Sequence, residues 1–115
     1  APLAGSPPAD ACCASPPGAG PESADGLNAE ALFGDFMRHV GADGALDKRT
    51  KRLMTIALST AQRCAPCLRI HWRGALADGI DQQAIEEAVW LGVAFGGAPA
   101  MMLAKEMREE IRQTI

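Results

Sequence analysis

The sequence has few aromatic residues and no long apolar run. Among its 115 residues there is no tyrosine, and only three phenylalanines and two tryptophans occur. A core must therefore be built from Ala, Leu, Ile, Val and Met, which suit helices well and β-sandwiches poorly. An all-β fold is disfavoured, and a chain of this length provides one hydrophobic core at most.

The sequence also lacks an apolar run of the roughly 18 to 20 residues that a membrane-spanning helix needs. Its first residues have neither the basic patch nor the apolar run of a secretory signal peptide. The four cysteines stand as two close pairs, which is not the spacing of a secreted disulfide framework. We therefore expect a cytoplasmic protein with no membrane partner.

Basic residues are missing from residues 1–26, and this absence accounts for the net charge. The chain carries a formal charge of -3, and residues 1–26 hold three acids and no Lys or Arg. The rest of the chain is therefore electrically balanced, whereas a nucleic-acid-binding domain carries a basic excess. We expect no nucleic-acid partner.

The balanced part of the chain is nevertheless polarised along its length. Residues 48–73 contain seven Lys or Arg and no acid, whereas residues 78–110 contain seven acids and two bases. We expect these two stretches to pack against each other, because unlike charges on neighbouring helices attract.

Residues 1–26 have little that could form a core. Six of the eight prolines and mostly Ala, Gly and Ser fill this stretch. Such a composition forbids regular helix and buries almost no apolar surface. The sequence predicts a flexible tail over residues 1–26 and a helical domain over residues 27–115.

Within that domain, five segments show apolar residues at helical spacing, separated by residues that break helices. Candidate N-caps precede the first, second and fourth segments, namely Asn28, Asp47 and Asp81. Proline is tolerated only in the first turn of a helix, so Pro66 and Pro99 mark the starts of the third and fifth helices. No extended alternation of period two is present. The sequence predicts an all-α fold of about five helices.

One segment has a specific chemical interpretation, namely residues 64–71, which read Cys-Ala-Pro-Cys-Leu-Arg-Ile-His. Cys64 and Cys67 at a helix start can close a small disulfide ring, and the free amides there favour a thiolate. His71 lies one helical turn beyond Cys67 and can exchange a proton with its sulfur. We predict Cys64, Cys67 and His71 as the catalytic residues, with no cofactor other than a redox-active disulfide.

A metal site is one alternative for the same residues. The two cysteines and the histidine could supply three zinc ligands, with a fourth from His39 or from the pair Cys12 and Cys13. Three ligands on one helical face make a poor tetrahedral cage, because no second loop closes it.

A thioredoxin-like domain is a second alternative for a CxxC pair. It would require residues 53–60 to form the strand before the motif, with Pro99 as the later proline. Residues 53–60 have helical periodicity, and no further strands are predicted.

A family resemblance extends over residues about 28 to 110. It rests on the run of residues 46–53, Leu-Asp-Lys-Arg-Thr-Lys-Arg-Leu, and on the CxxC with its histidine. It also rests on Ala75-x-x-x-Gly79-x-Asp81, on Ile-Glu-Glu-Ala at residues 85–88, and on Gly-Gly-Ala-Pro-Ala at residues 96–100. This pattern resembles the alkylhydroperoxidase AhpD-like branch of the carboxymuconolactone decarboxylase family.

The resemblance implies an all-α subunit in which a helical hairpin carries the CxxC, assembled as a trimer or hexamer. It also implies that Cys67 attacks a small peroxide or disulfide substrate, that Cys64 resolves the product, and that His71 relays protons. A protein or a small thiol would supply the electrons. The implied function is that of a thiol-disulfide oxidoreductase or alkylhydroperoxidase-like antioxidant protein.

One departure from the pattern of the family bears on the activity. Peroxidase members carry a glutamate twelve positions before the first cysteine, where this chain has Arg52. An arginine cannot act as a general base at neutral pH, so a carboxylate from Glu30, Glu86 or Glu87 would have to take its place. The alternative function is a non-catalytic or metal-binding helical assembly that keeps the family fold. Decarboxylase or lactone chemistry is less favoured, because it does not need the CxxC.

Overall fold

The computed structural model of the chain describes residues 28–114, and this range contains five α-helices and no strand. The predicted all-α fold and number of helices are confirmed. The predicted tail over residues 1–26 lies outside the described residues. We number the helices α1 (Ala29–Gly41), α2 (Lys48–Ala61), α3 (Ala65–Ala77), α4 (Gln82–Gly96) and α5 (Ala98–Thr114).

Residues 53–60 lie within α2 and are helical throughout. The thioredoxin-like alternative is therefore wrong, because it needs a strand at this point. The apolar residues of this segment recur at the helical period, and the structure follows that period. None of the helices within residues 28–114 has the length and apolar character needed to cross a membrane.

All three predicted residues stand at the N-caps of their helices, and two of them cap with the side chain. The Asp47 side chain accepts a hydrogen bond from the Thr50 amide at 2.7 Å, and Asp81 accepts one from the Ala84 amide at 2.7 Å. Asn28 also stands at the N-cap of α1, but its side chain makes no capping bond. Its backbone is left-handed, with a φ of 59°, whereas side-chain capping is typical of extended backbone at this position.

The chain divides into two compact units between Ala42 and Asp43. The described part of the first unit consists of α1, in which no residue is buried. The apolar residues that predicted this helix are each at least 40% exposed: Leu32, Phe33, Phe36, Met37 and Val40.

Helices α2 to α5 form the second unit and share one hydrophobic core. Helix α2 packs most extensively on α4 and also on α3, while α5 packs on α4, α3 and α2. The core is aliphatic except for one tryptophan, as expected from the composition. Its largest fully buried apolar side chains are Ile56, Leu68, Trp72, Ile85, Met107 and Ile111.

Helices α2 and α4 approach each other closely at Gly92. A Cβ atom at this position would lie 2.3 Å from the carbonyl oxygen of Ala57 and 2.6 Å from the Cβ of Thr60. No side chain fits there, so the glycine lets the two backbones come together. This contact positions α2, which leads directly into the segment with the CxxC.

The predicted pairing of the basic stretch with the acidic stretch is present as ion pairs between elements. Arg69 on α3 donates to Glu110 on α5 at 2.6 Å, and Arg73 reaches the same carboxylate at 3.4 Å. Arg49 at the start of α2 lies 4.0 Å from Asp81. These pairs connect the CxxC helix α3 to α5 and the start of α2 to the start of α4.

Stability should fall at acidic pH through Glu110. The hydrogen bond from Arg69, and the charges of Arg69 and Arg73, hold the pKa of Glu110 below its ordinary value of 4.5. The folded chain therefore binds this proton less readily than the unfolded chain does. The resulting stability is fully present above pH 4.5 and is lost as pH falls through the lower folded pKa.

We expect Glu110→Gln to make the free energy of unfolding less dependent on pH below 4.5, as measured by urea unfolding at stepped pH values. The matched control is Glu109→Gln, which removes the same charge from the same helix but whose carboxylate pairs with Arg112 within α5. If the free energy of unfolding changes with pH in the same way in Glu110→Gln and in the unsubstituted chain, the pairing with α3 does not stabilise the fold.

Candidate redox site at the start of α3

Cys64 occupies the N-cap of α3, as the position of Pro66 predicts. Its backbone is extended, and its Sγ accepts a hydrogen bond from the Cys67 amide at 3.3 Å. Pro66 lies in the first turn, where its missing N–H leaves no helical hydrogen bond unmade. The first cysteine thus stands where free helix amides and the helix dipole favour a negative sulfur.

Cys64 and Cys67 form a disulfide, with their Cα atoms 5.2 Å apart. Both residues are half-buried, so the sulfurs lie at the surface of the four-helix unit rather than within its core. A disulfide between residues three apart constrains only one turn of chain, and it can therefore open without loss of the fold. The pair has the arrangement of an accessible redox disulfide.

A tight turn joins α2 to this site. The Cys64 amide donates to the Ser59 carbonyl oxygen at 3.0 Å, and the Arg63 amide donates to the Thr60 carbonyl oxygen at 3.0 Å. Arg63 has a φ of 57°, which is the left-handed conformation and uncommon for a residue with a side chain. This turn fixes Cys64 against the end of α2.

The histidine of the site is bound by a residue from α2. The Arg52 Nη1 lies 3.0 Å from the Nδ1 of His71, and its Nη2 donates to the Asp78 Oδ2 at 3.3 Å. Arg52 therefore connects α2 to the middle of α3 and to its C-terminal end, because Asp78 is the C-cap of that helix.

Gly74 makes room for this arginine. A Cβ at position 74 would lie 2.8 to 2.9 Å from three atoms of the Arg52 guanidinium group. The guanidinium thus lies directly on the backbone of α3, and a side chain at position 74 would displace it. Sequence reasoning missed Gly74 and Asp78, although a glycine three residues after His71 and an acid at the end of the same helix were visible signals.

The environment of His71 favours its neutral form. Partial burial lowers the pKa of His71 below its ordinary value of 6.5, and the positive charge of Arg52 lowers it further. Of the three candidates for the missing carboxylate, Glu86 accepts hydrogen bonds from Gln82 and Arg108.

The zinc alternative has no assembled ligand set in the described part of the chain. Within residues 28–114, no three side chains of His, Cys, Asp or Glu are grouped so that they could hold a metal ion. The two sulfurs of the proposed set are joined to each other. The tail pair offered as a fourth ligand, Cys12 and Cys13, lies outside the described residues.

The fold and the site together define an all-α protein with a CxxC disulfide at a helix start and a histidine one turn beyond it. The sequence profile of the carboxymuconolactone decarboxylase family matches residues 28–110. The chain belongs to this family, and the resemblance drawn from its motifs is confirmed.

Two relatives come from Paracoccus denitrificans. One is an uncharacterised protein encoded in the cox locus, 38% identical over 72 residues, which cover 63% of this chain and 65% of the relative. The other is an uncharacterised 15.0 kDa protein from the nqo9–nqo10 intergenic region, 38% identical over 84 residues. That match covers 71% of this chain and 60% of the relative. The chain thus spans less than two thirds of the length of either relative.

Two solved structures share the fold, and both are proteins of the carboxymuconolactone decarboxylase family. One, from Legionella pneumophila and in its apo form, is 29% identical with a TM-score of 0.67, over 74% of this chain and 76% of the other. The other, from Thermotoga maritima, is 30% identical with a TM-score of 0.67, over 76% of this chain and 93% of the other. A role in antioxidative response has been suggested for the Thermotoga protein.

Proposed function

We propose that the protein is a thiol-disulfide oxidoreductase that cycles Cys64 and Cys67 between dithiol and disulfide. The observation that carries this proposal is the disulfide itself, which is half-buried and stands at the N-terminus of α3. Membership of the carboxymuconolactone decarboxylase family supports it. The suggested antioxidative role of the Thermotoga relative agrees with such chemistry.

In the proposed cycle the Cys67 thiolate attacks one sulfur of a substrate disulfide. A mixed disulfide forms, and the other half of the substrate leaves as a thiolate. The Cys64 thiolate then attacks the Cys67 sulfur, which releases the second substrate thiolate and leaves the Cys64–Cys67 disulfide. Two electrons pass to the substrate, and an external dithiol returns them to the protein.

The described geometry suits these roles. The Cys67 amide donates to the Cys64 Sγ, which stabilises Cys64 as the resolving thiolate. Cys67 lies one turn before His71 on the same face of α3, so an imidazole N–H can stabilise charge on its sulfur. Reduction of small hydroperoxides, as in alkylhydroperoxidase-like proteins, is a second candidate reaction for the same pair.

We further infer that the chain works as a homo-oligomer, a trimer or hexamer as the family resemblance implies. The four-helix unit leaves several large apolar side chains exposed, among them Leu58, Leu91 and Phe95. Burial of such a surface between copies would be favourable. Light scattering of the purified protein measures the assembly directly.

The redox proposal is tested by equilibrating the protein in dithiothreitol buffers of increasing oxidised fraction. After alkylation of free thiols, peptide mass spectrometry reports Cys64 and Cys67. We expect both cysteines to become protected from alkylation together, in one two-electron transition. Reduction should make both fully open to alkylation again. The non-catalytic or metal-binding alternative would be favoured if both thiols remain open to alkylation in every buffer. It would also be favoured if metal analysis finds one zinc ion per site.

A further inference from the structure

Arg52 contacts the histidine of the site and reaches it from a different helix. We propose that Arg52 is a positioning residue that holds His71 as a neutral Nε2–H hydrogen-bond donor, and that it thereby directs the cysteine pair to disulfides rather than hydroperoxides. This inference rests on the proposed function and specifies its substrate class.

The Arg52 guanidinium is held on three sides. It lies 3.0 Å from the His71 Nδ1, donates to Asp78 at 3.3 Å, and covers the bare backbone of Gly74. Its side chain is only 28% exposed. The contact with His71 is therefore built into the packing of α2 on α3 and is not a chance approach of a solvated side chain.

The direction of this hydrogen bond follows from the chemistry of the two groups. A guanidinium has five N–H donors and no acceptor. The His71 Nδ1 must therefore offer its lone pair, and in the neutral ring the proton then resides on Nε2. A doubly protonated ring would turn an N–H and a second positive charge toward the guanidinium, which disfavours this form. Asp78 does not offset that charge, because it is already paired with Arg52.

This arrangement removes the usual proton relay. With a lone pair at Nδ1 bound by Arg52 and a proton already at Nε2, the ring cannot take a proton from Cys67 without breaking the contact with Arg52. The Nε2–H can still donate a hydrogen bond to a thiolate. His71 thus stabilises negative sulfur but does not carry a proton to or from it.

Disulfide exchange and hydroperoxide reduction differ in what they need from such a site. In exchange, the Cys67 thiolate displaces another thiolate, and no proton moves in that step. In hydroperoxide reduction, the thiolate attacks one oxygen, the O–O bond breaks, and Cys67 becomes a sulfenic acid. The leaving alkoxide must then take a proton from a general acid, because it is far more basic than a thiolate. A fixed N–H donor serves the first reaction and not the second.

The tautomer can be measured without any turnover. Nitrogen-15 NMR of the histidine rings in the reduced full chain at neutral pH distinguishes a protonated Nε2 from a protonated Nδ1, and His71→Gln assigns the signals. We expect His71 to be protonated at Nε2 alone. Arg52→Leu should produce a mixture of forms, while Arg49→Leu, which removes an arginine from the same helix, should leave the His71 signals unchanged. Protonation at Nδ1 in the unsubstituted protein would overturn the inference.

The substrate class is tested by comparing the rates of hydroxyethyl disulfide and tert-butyl hydroperoxide reduction, with dithiothreitol as the reductant. Arg52→Glu should raise the rate ratio of hydroperoxide to disulfide by about tenfold or more. A carboxylate accepts from Nδ1–H, so that Nε2 can take the proton of Cys67 and then donate it to the leaving alkoxide. Because this glutamate would face Asp78, the same comparison is made with Arg52→Glu combined with Asp78→Asn. The ratio for Arg49→Leu should match that of the unsubstituted protein.

The role of Arg52 and the oxidoreductase activity are tested by different outcomes. An unchanged rate ratio in both Arg52→Glu proteins, with activity that still depends on Cys67, would overturn the role of Arg52 and leave the oxidoreductase in place. Activity that persists in Cys67→Ser would overturn the oxidoreductase itself, whatever the tautomer of His71.

Discussion

Replacement of Cys67 by serine is expected to abolish reduction of disulfide substrates while the helices remain intact. A serine hydroxyl cannot form the mixed disulfide, so the rate should fall by at least about a thousandfold, as is typical when a nucleophile is removed. The disulfide lies outside the core and closes only one turn, so circular dichroism and the free energy of unfolding of the reduced protein should change little. Turnover of hydroxyethyl disulfide measures the loss.

Two further variants give this experiment its controls. Cys64→Ser retains the attacking thiol but cannot resolve, so it should stop after one turnover as a mixed disulfide that mass spectrometry detects. Cys12→Ser combined with Cys13→Ser removes the other two thiols of the chain and should leave turnover unchanged. Full activity in Cys67→Ser, or loss of activity in the tail variant, would contradict the assignment of the redox pair.

The largest effect on stability is expected from Trp72. Its side chain is 1% exposed in the core of the four-helix unit, and its Nε1 donates to the Gln82 Oε1 at 3.4 Å. Trp72→Ala should lower the free energy of unfolding by about 3–5 kcal/mol, because it loses a large buried surface and leaves a cavity. Urea unfolding measures the change.

Trp90→Ala is the matched control, since this second tryptophan is 44% exposed on α4. It should cost clearly less, about 1–2 kcal/mol, because almost half of its surface already faces water and its removal leaves no closed cavity. Equal losses for the two variants would mean that Trp72 is not the residue that anchors α3 to the core. Because Trp72 directly follows His71, its packing also holds α3 in place.

The features that sequence reasoning predicted correctly depend on local interactions. Asp47 and Asp81 cap helices through amides only three residues further along, so short-range spacing is enough to find them. The start of α3 at Cys64 follows from the steric demands of Pro66 alone. Asn28 shows the limit of this reasoning, because the residue type permits a cap but the backbone of that residue is left-handed.

The arrangement around His71 could not be predicted in this way. Arg52 is 19 residues from His71 and 26 residues from Asp78 in the sequence, and they meet only because α2 packs on α3. The sequence shows that Arg52 occupies the place of a carboxylate, which predicts a replacement acid elsewhere in the chain. It does not predict that the arginine itself binds the histidine and that the acid, Asp78, binds the arginine. Such contacts depend on helix packing and on the space at Gly74.

The most direct test of the central claim is a single turnover of the reduced protein with hydroxyethyl disulfide, with no external reductant. Samples are quenched with acid and alkylated, and peptide mapping then measures the fraction of Cys64 and Cys67 that is oxidised. The released substrate thiol is measured by absorbance after derivatisation. We expect a Cys64–Cys67 disulfide to form at the rate at which substrate thiol appears, with one disulfide for every two substrate thiols. Release of substrate thiol while Cys64 and Cys67 both remain open to alkylation would contradict this expectation.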